Sequence, residues 1–220
     1  MGYIALIPAY KPEEIMLPFL HSLKESFNTI VVVDDGSGKE YKGIFDSVRM
    51  MDIDVVSHAV NLGKGRAIKT GVNFIMQKYA DCDGIITADC DGQHAVCDIV
   101  AVREALQAHP DKLIIGGRKF TGNVPKRSRA GNAVMRVLFS LSTGTKIYDT
   151  QTGLRGFPRL LFPELLRLPG ERYEYEMNML LKLSEWGVKP YEISIKTIYL
   201  NENKGSHYNA PVSYTHLTLP

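Results

Sequence analysis

Short apolar runs alternate with amphipathic stretches from the N-terminus to about residue 117, and this alternation constrains the fold most. The runs are rich in Ile and Val and are bounded by Pro, Gly, Asn or Asp, which is typical of buried parallel strands. We therefore predict strands at Tyr3–Ile7, Ile30–Val33, Ile53–Val56, Gly84–Ala88 and Leu113–Gly116.

The stretches between these strands carry apolar residues at helical spacing. Ile68, Val72, Ile75 and Met76, for example, form one stripe along a helix. Alternating strands and helices predict an α/β fold with a mostly parallel, twisted sheet and helices on both faces. Ligands bind such sheets at the carboxyl ends of the strands, so we expect functional residues just after each strand.

The pattern changes after residue 117. We expect a polar loop at 118–127, a helix around 130–141, a short irregular segment at 149–157, a helix at 173–186 and strands at 190–195 and 197–200. No repeat or low-complexity linker interrupts the chain, so one domain is expected over residues 1–211. The string Ser213–Pro220 resembles translated sequencing-adapter read-through. Residues 212–220 are therefore expected to be a non-native tail, with the natural C-terminus missing.

The composition excludes several classes of protein. Lys and Arg number 26 against 24 Asp and Glu, a net charge of +2, so the strongly basic surface of a duplex-DNA binder is absent and no nucleic-acid partner is expected. There is no run of 18 apolar residues and no signal-peptide pattern. Three cysteines are too few for a disulfide framework. A reduced, cytoplasmic, globular protein is expected.

Two of the predicted strands end in acidic residues. Asp34 and Asp35 follow the second strand, while Asp89 and Asp91 follow the fourth and precede Gln93. Two carboxylates separated by one residue can share a divalent ion, and oxygen ligands suit Mg²⁺ or Mn²⁺. The alternative is that Asp-Gly marks a turn and Asp caps the next helix.

A glycine-rich segment, Asn61–Arg66, lies between the third strand and its helix. Glycines let backbone N–H groups approach a ligand, and a helix N-terminus favours an anion. The spacing matches neither the P-loop nor the dinucleotide-binding pattern, so a purely structural loop is the alternative.

Together these segments resemble the family-2 glycosyltransferases, which have the GT-A nucleotide-sugar fold. The matching segments are IPAY at 7–10, VDDGS at 33–37, NLGKG at 61–65 and DCDGQH at 89–94, the last as the DxD element. GGR at 116–118, DTQTG at 149–153, RGF at 155–157 and NKGSH at 203–207 resemble later motifs of the polyprenyl-phosphate branch. The resemblance covers about residues 3–211, in the family's order.

The resemblance implies a role for each matching residue. Pro8, Ala9 and Tyr10 line the base pocket, Asp35 holds the ribose or base, and the same donor site includes Asn61, Gly63, Lys64 and Asp89. The metal ligands are Asp89, Asp91 and Gln93, whereas the Cys90 thiol points away. The catalytic set is Asp91, Arg118, Arg129, Asp149 and Gln151, in which the two arginines grip the acceptor phosphate. The acceptor and loop set is Arg155, Lys204, Ser206 and His207.

The implied activity is metal-dependent, inverting transfer of one sugar from a UDP- or GDP-sugar to dolichyl or undecaprenyl phosphate at the cytoplasmic face of a membrane. A phosphate acceptor is already ionised near neutral pH, so it needs positioned cations and no base. A hydroxyl acceptor on a glycan, the main alternative, needs a carboxylate base, for which Asp149, Glu174 and Glu176 are candidates. A non-catalytic, doubly wound signalling module is a further alternative, but the first strand ends in Pro8-Ala9-Tyr10 instead of an acidic pair.

Overall fold

The structure, a computed structural model, describes residues 2–118, 147, 149–150 and 152–195. The strands of this part are β1 (Gly2–Ala9), β2 (Ile30–Asp34), β3 (Asp54–Ser57), β4 (Cys82–Thr87), β5 (Lys112–Arg118), β6 (Arg155–Pro158) and β7 (Lys189–Ile195). The helices are α1 (Met16–Lys24), α2 (Lys42–Met50), α3 (Lys64–Lys78), α4 (Val96–Ala108), α5 (Phe162–Arg167) and α6 (Glu174–Lys182). The helix predicted around 130–141, the strand predicted at 197–200 and the tail at 212–220 lie outside the described residues.

The described strands form one sheet in the order β3-β2-β1-β4-β6-β5-β7. β6 pairs antiparallel with β4 and β5, and every other pairing is parallel. The predicted α/β class with a mostly parallel sheet is therefore confirmed. The five strands predicted in the first half of the chain and the strand predicted at 190–195 are present, with shifted ends.

β6 is the main difference from the sequence prediction, which has an irregular segment there. Glycine and proline are both depleted in strands, so Gly156 and Pro158 hide the signal. Gly156 has a packing reason, because an added Cβ would lie 3.1 Å from Val102 Cγ1 and 3.2 Å from Ile114 Cβ. The absence of a side chain lets this short strand fit in the middle of the sheet.

Helices cover both faces of the sheet, as the alternation predicts. Along β1, Ile4 and Leu6 belong to the core beneath α3, α5 and α6, whereas Ala5 and Ile7 belong to the core beneath α1, α2 and α4. Successive side chains therefore enter opposite cores, and both sets are buried. This double burial explains why the strand is apolar at every position.

The topology brings distant segments to one edge of the sheet. β1, β2 and β4 are parallel, so the residues that follow Ala9, Asp34 and Thr87 emerge at the same edge. Because β6 is antiparallel, its first residue, Arg155, pairs with Thr87 at the end of β4. The segment before β6 therefore meets residues 89–94, the acidic segment that follows β4. No helix among the described residues is long and apolar enough to cross a bilayer.

Candidate active site

Asp35 organises the loop that joins β3 to α3. Its carboxylate accepts hydrogen bonds from Asn61 Nδ2 (2.9 Å), Leu62 N (2.9 Å) and Gly63 N (2.8 Å), and it contacts His58 Nδ1 at 2.8 Å. The residue is 3% exposed. Its lone pairs are thus engaged by protein groups, and its geometry is that of an organiser of the loop.

Three N–H groups of the glycine-rich segment are bound by the protein itself. Asp35 takes the N–H groups of Leu62 and Gly63, and the carbonyl of Glu171 accepts the Arg66 N–H at 2.9 Å. Gly63 has φ +104°, and a Cβ there would overlap the carbonyl oxygen of Glu171. Glycine is therefore needed both for the backbone conformation and for the close approach. The loop fixes the first residue of α3, which is Lys64.

Lys64 lies between two carboxylates. Its Nζ is 2.7 Å from Asp89 Oδ1, after β4, and 3.1 Å from Glu176 Oε1 in the first turn of α6. Burial alone would lower the pKa of Lys64, but the two carboxylates raise it above its ordinary value. Burial alone would raise the pKa of Asp89, but Lys64 and His94 hold it well below its usual range. Lys64 is thus a permanent cation, and Asp89 a permanent anion.

Gly153 closes over this ion pair. A Cβ on Gly153 would lie 2.5 Å from Asp89 Oδ2 and 2.7 Å from Lys64 Nζ. Thr87 at the end of β4 donates a hydrogen bond to the Gly153 carbonyl at 2.9 Å, which anchors the segment there. The approach of 152–154 to the acidic segment thus depends on a residue without a side chain.

Arg155 is buried beneath the same region, with 1% of its surface exposed. Its guanidinium donates hydrogen bonds to the carbonyls of Thr152 (3.1 Å), Thr150 (3.1 Å) and Glu176 (2.8 Å). Burial lowers its pKa below the ordinary value for arginine. The side chain therefore ties the segment before β6 to α6.

Asp91 and Gln93 complete the acidic segment. The Gln93 N–H donates to Asp91 Oδ1 at 3.0 Å, and burial together with the Asp89 charge raises the pKa of Asp91. Burial also raises the pKa of Cys90 to about 12, so the thiol stays protonated at neutral pH.

The donor set fits a hard divalent ion that is shared with a ligand. Among the described residues, no group of three or more His, Cys, Asp or Glu side chains could hold a metal by itself. The acidic segment offers the carboxylates of Asp89 and Asp91 and the amide oxygen of Gln93. Mg²⁺ is usually bound by one or two carboxylates together with phosphate oxygens and water. The residues Asp89, Asp91 and Gln93 therefore suit a metal that arrives with a diphosphate.

The remaining predicted residues lie as follows. Pro8 and Ala9 are buried at the end of β1, and Tyr10 beyond them is half-buried. Asp149 is fully buried, and its N–H donates to Glu192 Oε1 at 2.9 Å. Arg118 is the last residue of β5. Five residues lie outside the described ranges and stay predictions: Arg129 and Gln151 in gaps between the ranges, and Lys204, Ser206 and His207 beyond them.

Comparison with known proteins identifies the family. The model for "Glycosyl transferase family 2" matches residues 4–166. The chain belongs to glycosyl transferase family 2. It is a glycosyltransferase of the GT-A fold, so the resemblance found in the sequence is confirmed and the signalling-module alternative is wrong.

Two archaeal family-2 relatives cover most of the chain. An uncharacterized protein of Methanocaldococcus jannaschii is 31% identical over 200 residues, which are 88% of this chain and 80% of that protein. The UDP-N-acetylglucosamine–dolichyl-phosphate N-acetylglucosaminyltransferase of Methanococcus voltae is 26% identical over 229 residues, with 95% and 90% of the two chains covered.

A solved mannosyltransferase structure has the same fold. It is the mannosyltransferase PcManGT from Pyrobaculum calidifontis in complex with GDP-Man and Mn²⁺, with a TM-score of 0.61 at 14% identity. The match covers 91% of this chain and 58% of that structure, so the chain spans little more than half the length of PcManGT.

Two contacts of the candidate site could not be found from the sequence. Glu176 is recognisable there only as a candidate base, because its partner Lys64 lies far away in the chain. The role of Gly153 likewise appears only when β6 brings it to Asp89. No local pattern in the sequence signals either contact.

We predict that Asp35→Asn destabilises the fold. The NH₂ group of an asparagine would face N–H groups of Asn61, Leu62 and Gly63, which the Asp35 carboxylate now accepts. A buried group left without its partner costs about 1–3 kcal/mol in the free energy of unfolding. Urea denaturation measures the change. The control is Asp46→Asn, whose half-exposed carboxylate pairs with Arg49 on the protein surface and which should shift stability by less than about 0.5 kcal/mol. Equal effects of the two substitutions would contradict the organising role of Asp35.

Proposed function

We propose that this protein transfers one sugar, with inversion, from a nucleoside-diphosphate sugar to a polyprenyl phosphate at a membrane surface. The observation that carries the proposal is the state of the carboxylates in and around the candidate site. Two of them suit a divalent ion, and the three candidate bases, Asp149, Glu174 and Glu176, are engaged by protein groups or buried.

The donor half consists of the acidic segment and Lys64. Asp89, Asp91 and Gln93 would hold Mg²⁺ or Mn²⁺, which as a Lewis acid stabilises the charge of a departing diphosphate. Lys64 supplies a fixed positive charge beside them. Tyr10, with Pro8 and Ala9 packed behind it, lines the base pocket. Asp35 acts on this half through the loop that it organises, together with Asn61 and Gly63.

The acceptor half favours a group that is already ionised. Glu174 accepts hydrogen bonds from the N–H groups of Glu171 (3.0 Å) and Arg172 (3.1 Å), and although burial opposes the shift, these bonds lower its pKa. Glu176 is paired with Lys64. Asp149 is fully buried. None of the three is placed to take a proton from a hydroxyl, whereas a phosphate needs no proton removed.

Cations then bind the acceptor phosphate. Arg118 at the end of β5 and Arg129 offer planar, bidentate recognition of phosphate. Gln151 and the residues Lys204, Ser206 and His207 are assigned to the same half by the resemblance. Arg155, whose guanidinium already serves three carbonyls, acts there as a positioning residue.

The relatives support the same classes of substrate. The Methanococcus voltae enzyme is named for a UDP-sugar donor and a dolichyl-phosphate acceptor, and PcManGT is described with GDP-Man and Mn²⁺. The two differ in the nucleotide base, so both UDP- and GDP-sugars are candidate donors here. A polyprenyl acceptor places the reaction at a membrane, and we propose peripheral association with its cytoplasmic face.

We predict that one of UDP and GDP stabilises the protein against heat only when Mn²⁺ is present. A ligand at 100 times its dissociation constant adds about 2.7 kcal/mol to the free energy of unfolding. Asp91→Asn should abolish this stabilisation, whereas Asp81→Asn, at an exposed position, should retain it. If neither nucleotide stabilises the folded wild-type protein, the donor half of the proposal is wrong.

We predict that the sugar is transferred to dolichyl phosphate but not to dolichol, because only the phosphate arrives ionised. Transfer is measured with a radiolabelled donor sugar in detergent micelles, and NMR of the product reports the anomeric configuration, which should be inverted. Transfer to dolichol, or to a glycan hydroxyl but not to the phosphate, would favour the hydroxyl-acceptor alternative.

A further inference from the structure

The Lys64 ammonium is shared between a carboxylate that the proposed function uses and one that it does not. Its Nζ lies 2.7 Å from Asp89 Oδ1 and 3.1 Å from Glu176 Oε1. Asp89 belongs to the proposed metal site. Glu176 has no part in the proposed donor or acceptor chemistry, and yet this acidic residue is only 9% exposed.

Glu176 is held firmly in place. Its backbone carbonyl accepts a hydrogen bond from the buried Arg155 guanidinium at 2.8 Å. Arg155 in turn holds the carbonyls of Thr150 and Thr152, next to the Gly153 that closes over Asp89. The backbone of Glu176 is therefore tied to the segment that contacts Asp89, and its carboxylate lies 3.1 Å from Lys64 Nζ.

Glu176 is the second carboxylate at Lys64. Without it, Lys64 would keep Asp89 as its one carboxylate partner among these residues, and the ammonium would depend on the same carboxylate that the proposed metal uses.

We propose that Glu176 is a positioning residue that retains Lys64 and thereby frees Asp89 for the divalent ion. A cation bound at Asp89 competes with Lys64 for the same carboxylate oxygens. When the metal takes the place of Lys64 at Asp89, the ammonium remains paired with the Glu176 carboxylate. Lys64 therefore stays beside the site and its charge is not left unpaired. The inference rests on the proposed metal site.

The test measures Mn²⁺ affinity, alone and with UDP or GDP, by the EPR signal of free Mn²⁺. In Glu176→Gln, Lys64 has lost its second carboxylate and holds Asp89 alone. We expect Mn²⁺ affinity to fall by roughly tenfold, the size of coupling typical of contacting residues. Glu176→Asp keeps the charge but withdraws the carboxylate from Lys64, so it should also weaken Mn²⁺ binding.

A matched control comes from the same helix. Lys69 Nζ lies 3.1 Å from Glu171 Oε1, the same separation as in the Lys64–Glu176 pair. Glu171→Gln breaks that pair and the Arg66–Glu171 pair (2.6 Å) but leaves both carboxylate partners of Lys64 in place, so Mn²⁺ affinity should stay at the wild-type value. Circular dichroism and thermal unfolding of each variant confirm that the comparison is made between folded proteins.

A double variant separates positioning from simple charge. In a Lys64→Met background there is no ammonium to retain, so adding Glu176→Gln should change Mn²⁺ affinity little. A tenfold loss that persists in that background, or wild-type affinity in Glu176→Gln or Glu176→Asp, would overturn the inference while leaving the proposed function intact. If the wild-type protein binds no Mn²⁺ with either nucleotide, the proposed metal site is wrong and the inference falls with it.

Discussion

The ion pairs of Lys64 connect the three segments that make up the candidate site. One ammonium joins the start of α3, the acidic segment after β4 and the first turn of α6. The Lys64 and Asp89 side chains are 18% and 34% exposed, so removing one partner leaves a partly buried charge without its counter-ion. The arrangement of the donor half therefore depends on this one side chain being delivered to the right place.

Two local constraints deliver it. The Asp35 carboxylate fixes the loop before α3 through backbone N–H groups, and Gly63 lets that loop pass against Glu171. On the other side, Gly153 approaches Lys64 and Asp89 so closely that a Cβ there would push the charged ends of both side chains aside. The family motifs thus describe packing around an ion cluster as much as direct contact with a ligand.

Much of the fold follows from the sequence because its strands are buried on both faces. A strand such as β1 must be apolar at successive positions, and that pattern is visible without a structure. β6 is not visible, because Gly156 and Pro158 oppose strand propensity and only the surrounding packing makes them fit. Local propensity is overridden there by tertiary contacts.

The site is predictable to a similar degree. The spacing of Asp89 and Asp91 points to a divalent ion because it is local, and so the chemistry can be inferred from adjacent residues. The Lys64–Glu176 pair is not predictable, because it depends on how α6 packs against α3. Asp35 shows a subtler limit: the sequence indicates an acidic group at a ligand-binding edge, but the structure shows its oxygens engaged by the protein's own donors.

The central claim is that the acidic segment after β4 forms a metal-dependent site for a nucleoside diphosphate. A crystal structure with Mn²⁺ and UDP or GDP, using the anomalous signal of manganese, tests it most directly. We expect the anomalous peak to place Mn²⁺ against the Asp91 carboxylate and diphosphate oxygens. Lys64 Nζ should still contact Glu176. A nucleotide bound elsewhere, or a manganese peak away from Asp89 and Asp91, would contradict it.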